Sequence, residues 1–399
     1  MSGFYDAVVA GHVCLDIIPK LSGTAQEFER TFLPGRLLEV GPATLSTGGA
    51  VSNTGLALSK LGIRTQLMGK VGDDLFGQAV RQIVDSYGPG LAGGMVVDGT
   101  TSTSYTIIIN PPGVDRIFLH CPAANDAFGA ADVRYDVVAE SRLFHFGYPP
   151  LVRRTFEAGG AQLVTMFRRA KETGVTTSLD MALPDPSSAA GQVDWRALLR
   201  STLPYVDVFL PSIEETLYML RRETYDDLRR AADGPDILPL ITPRLLSDLG
   251  REILALGVKV LVLKLGDRGV YLRTAGQAAL ESLGRARPSD PAAWADKELW
   301  APCFQVDVVG TTGAGDATIA GFLSALLRGS SAEAAVTLAV AVGACNVEAA
   351  DALSGIRPWD ETLHRIASGW ARHKLKLDAP GWRFDAERHL WVHEYRPSS

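Results

Sequence analysis

The chain is poor in cysteine, and its cysteines do not pair up in sequence. Cys14, Cys121, Cys303 and Cys345 are the four in 399 residues, widely spaced and without a Cys-x-x-Cys. That spacing argues against a disulfide scaffold and fits reduced thiols buried in a cytoplasmic protein. The seven histidines are dispersed and form no His-Glu-x-x-His, so a protein-built zinc site is not expected. No apolar run is long enough to cross a bilayer and no signal-peptide core opens the sequence, which predicts no membrane partner. Positive charge is also short. Lys+Arg 39 against Asp+Glu 45 give a net charge of −6, which argues against nucleic acid as the main partner. The remainder is an ordinary globular composition, 46% hydrophobic and 21% charged, long enough for one large or two ordinary domains.

One stretch organises the rest: Phe304–Arg328, FQVDVVGTTGAGDATIAGFLSALLR. Phe304 to Val309 alternates and is β-branched, which predicts a strand. Gly310-Thr311-Thr312-Gly313-Ala314-Gly315-Asp316 is a small-residue turn, and Ala317 to Arg328 is an apolar helical run. Such an order places several N–H groups at a helix N-terminus, where unpaired donors and the helix dipole bind anions, phosphates above all. Gly313 and Gly315 clear side chains from backbone that a ligand must approach. Asp316 would repel a bound phosphate, but it suits taking a proton from a hydroxyl about to attack one. A tight turn with a helix-starting Asp accounts for the same residues without chemistry. The stretch is not a P-loop, because no Gly-Lys-Ser/Thr follows. The dinucleotide fingerprint also fails, because its third Gly would fall at Thr318.

Along the chain, Asp6 to Ala10 predicts a buried first strand ended by Gly11, with Asp16 at its exit. Ligands of open α/β sheets bind beyond such strand ends, where an acid can grip hydroxyls. Residues 17–47 read as irregular. Gly48 and Gly49 open a helix at Val51–Leu61, closed by Gly62. The Asn53 amide both donates and accepts, which suits a polyol, although a local helix-start bond would also use it. Thr101–Asn110 and Arg116–His120 predict a hairpin around Pro111-Pro112-Gly113. From Leu143 onward, strands at Leu143–Phe146, Thr176–Leu179, Val206–Leu210 and Val258–Leu263 alternate with helices at Thr155–Thr173 and Pro243–Leu256. That alternation implies a parallel sheet covered on both faces. Asp180 ends one of those strands, facing either a site or a surface turn. Segments near Arg221–Ile241 and Gly276–Ala301 read as lengthened surface loops. After Ile356 a tail holds four of the seven Trp, too aromatic a composition for disorder.

Two sets of motifs resemble the ribokinase-like (PfkB) carbohydrate kinases. Gly310–Asp316, GTTGAGD, is similar to the family's C-terminal signature DTTGAGD. Gly48–Asn53 (GGAVSN) and Gly69–Gly77 (GKVGDDLFG) are similar to its N-terminal GGxxxN and GxVGxDxxG. The resemblance covers residues 5 to 355. It implies an α/β fold, a ribokinase-like three-layer α/β/α sandwich with a mainly parallel central sheet and a small β-sheet lid. The kinase domain would take 1–16, 48–100 and 120–355, the lid 17–47 and 101–119, and the extension 356–399 would pack on the body or on a partner subunit. The implied activity is ATP-dependent transfer of the γ-phosphoryl group to a hydroxyl of a sugar-like substrate, with the lid closing to exclude water. Asp316 would be the base, beside an anion hole of Gly313, Ala314 and Gly315. Asp16, Gly48, Gly49 and Asn53 would hold the acceptor. Lys264, Gly266, Gly269, Thr311 and Asn346 would border the nucleotide, and Glu215 would reach the water shell of Mg²⁺; a pairing acid for Lys264, a helix start for Glu215 and a core backbone bond for Asn346 would account for those residues without ligand. A homodimer clasped through the lids is implied, and a monovalent cation near the anion hole is left open with no ligands placed. A nucleoside kinase of the same fold, or a non-catalytic sugar-binding protein, would carry the same signatures. The chain departs from the family pattern at Ser212, where Asn is usual, and at Gly310, where Asp is usual.

Overall fold

The structure is a computed structural model that describes residues 5–21, 35, 37–110 and 117–394. The strand Ala7–Gly11 shows why the chain forms layers. Ala7 and Val9 enter one core and Val8 and Ala10 another, and all are fully buried. A strand apolar on both faces is stable only inside a sheet with helices above and below. Five parallel neighbours surround it, in the order Thr65–Met68, Ala7–Gly11, Leu143–Gly147, Thr176–Leu179, Val208–Phe209 and Val260–Lys264. Beyond Val260–Lys264 the sheet turns antiparallel through Val270–Thr274 and Glu298–Ala301. It ends in two strands of the C-terminal tail, Leu390–His393 and Trp382–Asp385. Helices cover both faces, with Ala50–Lys60, Ala314–Leu327 and Ala332–Asn346 together on one and Ala161–Glu172 on the other.

A separate four-stranded sheet is built from Ala43–Gly48, Cys14–Pro19, Tyr105–Ile109 and Ile117–Cys121. In its register Asp16 lies opposite Ser46 on one side and Thr106 on the other. The reading of 17–47 as irregular is thus corrected at both ends, and Asp16 sits within a strand of the small sheet. Only the flanks of the predicted hairpin are seen, because residues 111–116 lie outside the described residues.

Three further expectations are overturned. Phe304 to Val309 is not a strand: Phe304 alone makes a bridge, to Arg372, and Val308 and Val309 are 64% and 63% exposed. β-branched alternation forms a strand only where a neighbour accepts it, and here the sheet continues through the tail instead. The helix predicted at Thr155–Thr173 is broken, with Ala158, Gly159 and Gly160 at φ 49°, 65° and 80°, and resumes at Ala161–Glu172. Gly276–Ala301 is not a surface loop, because it supplies the sheet strand Glu298–Ala301 and buries Trp294 and Trp300.

Candidate active site

Helix Ala314–Leu327 starts from Gly313 at φ 73°, where a Cβ would stand 2.6 Å from that of Ala352. Both the backbone angle and the space call for glycine. The first intrahelical bond runs from the Ala317 N–H to the Gly313 carbonyl, 2.8 Å. The Ala314 N–H donates to the Thr311 carbonyl at 3.2 Å. The N–H groups of Gly315 and Asp316 are therefore left without a partner among the described residues.

The Asp316 carboxylate is buried at the same helix start, 3% exposed. It accepts hydrogen bonds from Asn53 Nδ2 at 3.1 Å, Thr54 Oγ1 at 2.9 Å and the Tyr148 hydroxyl at 2.7 Å. Asn53 and Thr54 are consecutive on helix Ala50–Lys60, which packs against Ala314–Leu327 and so joins the two halves of the chain. Bonds to a charged acceptor contribute about 1.5–3 kcal/mol each, so three of them fix the carboxylate's orientation. Tyr148 follows the strand Leu143–Gly147 at φ 63°, ψ 49°. A left-handed non-glycine residue costs roughly 1–3 kcal/mol, a cost carried here at the mouth of the site. Burial, together with the Asp316 charge, holds the Tyr148 phenol well above its ordinary range.

Tyr148 borders two cavities. The first, about 740 Å³, lies under the small sheet. Its polar end carries His12, Cys14, Asp16, Asn53, Thr106 and His120. Its far wall is apolar, with Ile18, Ile83, Ile108, Phe118 and Leu353. Burial pushes the Asp16 carboxyl up to about 6, opposed by hydrogen bonds from Cys14 and Thr106. A Cβ on Gly48 would sit 2.4 Å from Asp16 Oδ2, and one on Gly49 (φ 89°) 2.4 Å from His12 Nδ1. The two glycines thus let backbone lie directly against two polar side chains. His12 is buried with both ring nitrogens unpartnered among the described residues, and burial lowers it to about 3, so the ring is neutral. Its centroid is 5.3 Å from that of His120 on the small sheet and 6.5 Å from that of Tyr148.

The second cavity, about 480 Å³, is lined by Ser212, Glu215, Lys264, Gly266 and Gly315. Lys264 Nζ lies 2.6 Å from Asp180 Oδ1. Burial pulls the Lys264 ammonium down, but Asp180, Glu215 and Asp316 outweigh it and hold it above its ordinary value. Asp180 is raised by burial, with Glu215 and Asp316 as like charges and Lys264 opposing. Glu215 is raised by burial as well. Asp180 therefore faces the site rather than a surface turn, with Oδ2 unpartnered. Ser212 and Glu215 form a capping box: the Ser212 N–H donates to Glu215 Oε2 at 2.6 Å and the Glu215 N–H to Ser212 Oγ at 3.1 Å. Of these groups Glu215 and Lys264 line the cavity, with Asp180 buried against the Lys264 ammonium. No group of three or more His, Cys, Asp or Glu among the described residues is placed to hold a metal directly.

The other residues singled out in the sequence separate. Gly266 (φ 55°) lines the second cavity. Gly269 (φ 95°) packs against the Ala301 carbonyl, which a Cβ would meet at 1.9 Å. Thr311 is exposed in the turn. Asn346 is buried; its amide donates to the Ala352 carbonyl at 2.6 Å, in a turn that borders the first cavity, and its Oδ1 has no partner among the described residues. At Gly310 a Cβ would lie 3.0 Å from Ala349 and Ala350 backbone, so the missing Asp side chain reflects a close backbone approach. His12, Thr54 and Tyr148 were not legible. Each acquires its role from a partner more than a hundred residues away.

An acid is thus fixed beside unpaired helix N–H groups, with a polar cavity on one side and a Lys264–carboxylate cluster on the other, an arrangement suited to phosphoryl transfer to an alcohol. Comparison with family models matches residues 6–359 to the pfkB family carbohydrate kinases. The chain is 25% identical over 321 residues to fructokinase-2 of Oryza sativa subsp. japonica, covering 78% of this chain and 77% of that one. Two solved structures share the fold. Fructokinase with bound ATP from Xylella fastidiosa has a TM-score of 0.66 at 19% identity, covering 91% of this chain and 99% of that one. Arabidopsis thaliana ribokinase complexed with ribose and ATP has 0.63 at 19% identity, covering 90% and 98%. The chain belongs to the pfkB family of carbohydrate kinases and is a phosphotransferase with an alcohol group as acceptor.

Proposed function

We propose that the protein transfers the γ-phosphoryl group of ATP to a hydroxyl of a sugar-like acceptor, with Asp316 as general base. The observation that carries this reading is the Asp316 carboxylate itself, held by Asn53, Thr54 and Tyr148 at the start of helix Ala314–Leu327, between the two cavities. The acceptor binds under the small sheet, gripped by Asp16, Asn53 and His12 and by backbone at Gly48 and Gly49. Asp316 orients its hydroxyl and takes the proton. The N–H groups of Gly315 and Asp316 face the phosphoryl oxygens and stabilise their charge. Lys264 and Gly266 border the phosphates. ATP would supply the phosphoryl group and Mg²⁺ would neutralise its charge. Glu215, on the wall of the second cavity, fits a cation kept in its own water shell, as Mg²⁺ prefers.

One observation favours a second reading, a nucleoside as acceptor. The acceptor cavity of about 740 Å³ is roomy for a monosaccharide alone, and its far wall is apolar. A coupled ADP-release assay with Mg-ATP and parallel panels of sugars and nucleosides tests both. Turnover with a sugar supports the first reading, and turnover confined to nucleosides replaces it with the second. No acceptor-dependent ADP from either panel rejects the assignment.

A further inference from the structure

The C-terminal extension encloses a third cavity, about 760 Å³, that shares no lining residue with the two beside Asp316. It lies largely beyond residue 359, where the family match ends. The tail crosses Cys303–Gln305 as a short antiparallel bridge: the Gln305 N–H donates to the Ala371 carbonyl and the His373 N–H to the Cys303 carbonyl, both at 2.8 Å. The crossing stacks Trp370 on Phe304 with centroids 4.3 Å apart, and Phe384 and Trp391 add two more ring walls. Phe304 is covered on both faces, by Trp370 and the Arg372 guanidinium, and Trp370 by Phe304 and Arg365, so the ring face open to the cavity is that of Phe384, 46% exposed, beside Trp391.

The charge there is unbalanced. Arg372, Lys374, Lys376 and Arg388 line the cavity with His373 and His389, against the single acid Glu387. Arg388 is paired with Asp385 at 3.0 Å. Arg372 is not paired with an acid: its guanidinium stacks 4.3 Å from the Phe304 ring and donates to the Pro302 carbonyl and Thr337 Oγ1, both at 3.1 Å. Burial lowers Arg372 to about 10. The exposed Lys374 and Lys376 make no ion pair among the described residues. A half-buried guanidinium without a counter-charge, set among like charges, calls for an anion. A bare phosphate would leave the ring walls unused, and a volume within the roughly 300–1,000 Å³ of small-molecule sites is too large for it. The open face of Phe384 beside these cations suits a planar ring that carries phosphate.

We propose that this cavity is a second ligand site, built by the C-terminal extension, for a nucleoside phosphate. It is separate from the phosphoryl-transfer site. The test is equilibrium dialysis of the full chain against a radiolabelled, non-hydrolysable adenosine triphosphate analogue with Mg²⁺, comparing wild type with a Lys374→Glu/Lys376→Glu variant. Both lysines are exposed, so the variant is expected to fold normally. Wild type should bind two equivalents per chain. The variant should lose one of them, with that affinity weakened about tenfold or more, while its KM for ATP stays unchanged. A single equivalent in wild type overturns the proposal, as do two equivalents that survive the charge reversal. A raised KM for ATP in the variant also overturns it, by making the cavity part of the donor site.

Discussion

Replacing Asp316 by Asn separates chemistry from architecture, because the site can accept the amide almost without rearrangement. The amide oxygen can take the place of Oδ2 and keep the bonds from Asn53 at 3.1 Å and Tyr148 at 2.7 Å. The amide nitrogen then faces Thr54, whose hydroxyl turns from donor to acceptor at 2.9 Å. Three bonds remain three. The lost charge removes a like neighbour from Asp180 and Glu215 and one of the counter-charges of Lys264, effects that oppose each other. Stability should therefore stay within about 1 kcal/mol, a melting shift of under about 4 °C. General-base help is typically about 100- to 10,000-fold, or about 2.7–5.4 kcal/mol at 1.36 kcal/mol per decade. Turnover should fall by that factor while calorimetry shows acceptor affinity unchanged to about threefold, or 0.65 kcal/mol. Turnover within about tenfold of wild type would refute the base role. Joint collapse of turnover, acceptor affinity and melting temperature would make Asp316 a structural residue.

Other perturbations reach different parts of the site. Gly48→Ala places a methyl 2.4 Å from Asp16 Oδ2; KM for the acceptor should rise about tenfold with kcat and KM for ATP nearly kept, and an unchanged acceptor KM would remove Asp16 from binding. Lys264→Met strands the carboxylate that its ammonium holds at 2.6 Å, costing about 3–5 kcal/mol in urea unfolding. Adding Asp180→Asn should restore most of that stability without restoring activity, and a single variant as stable as wild type would show the pair is not what balances the cluster. His12 and His145 are both lowered to about 3 by burial, from an ordinary 6.5. Each must gain its proton on unfolding, so their stabilisation is complete above about pH 6.5 and lost as pH falls toward 3. Between pH 6.5 and 4.5 wild type should lose urea stability faster than a His12→Asn/His145→Gln variant, and parallel curves would contradict the assignment.

The residues that were legible in the sequence are those whose chemistry is local. Gly313-Ala314-Gly315-Asp316 reads locally as a helix start, and Asn53 follows its glycines by a short spacing, so both could be read before their 263-residue separation closed to one hydrogen bond. The parallel strands were legible because a strand buried on both faces has little polar residue to offer. Tyr148 could not be read, because nothing in Tyr-Pro-Pro announces a left-handed residue aimed at an acid far along the chain. His12 failed for the same reason: its isolation is a property of the packed cavity. Phe304 to Val309 misled because β-branched alternation describes a side chain's preference, while the partner strand is a matter of topology. For Asn346 the sequence left a base contact and a core backbone bond open, and the Ala352 carbonyl supplies the second.

The strands Leu390–His393 and Trp382–Asp385 matter for how this protein can be shortened. Leu299 and Trp300 of the sheet pair with Val392 and Trp391. A chain trimmed where the family match stops, near residue 359, would uncover the fully buried strand Glu298–Ala301 along a row of open backbone donors and acceptors. Such an edge recruits other chains, so the trimmed protein should aggregate even with every catalytic group in place.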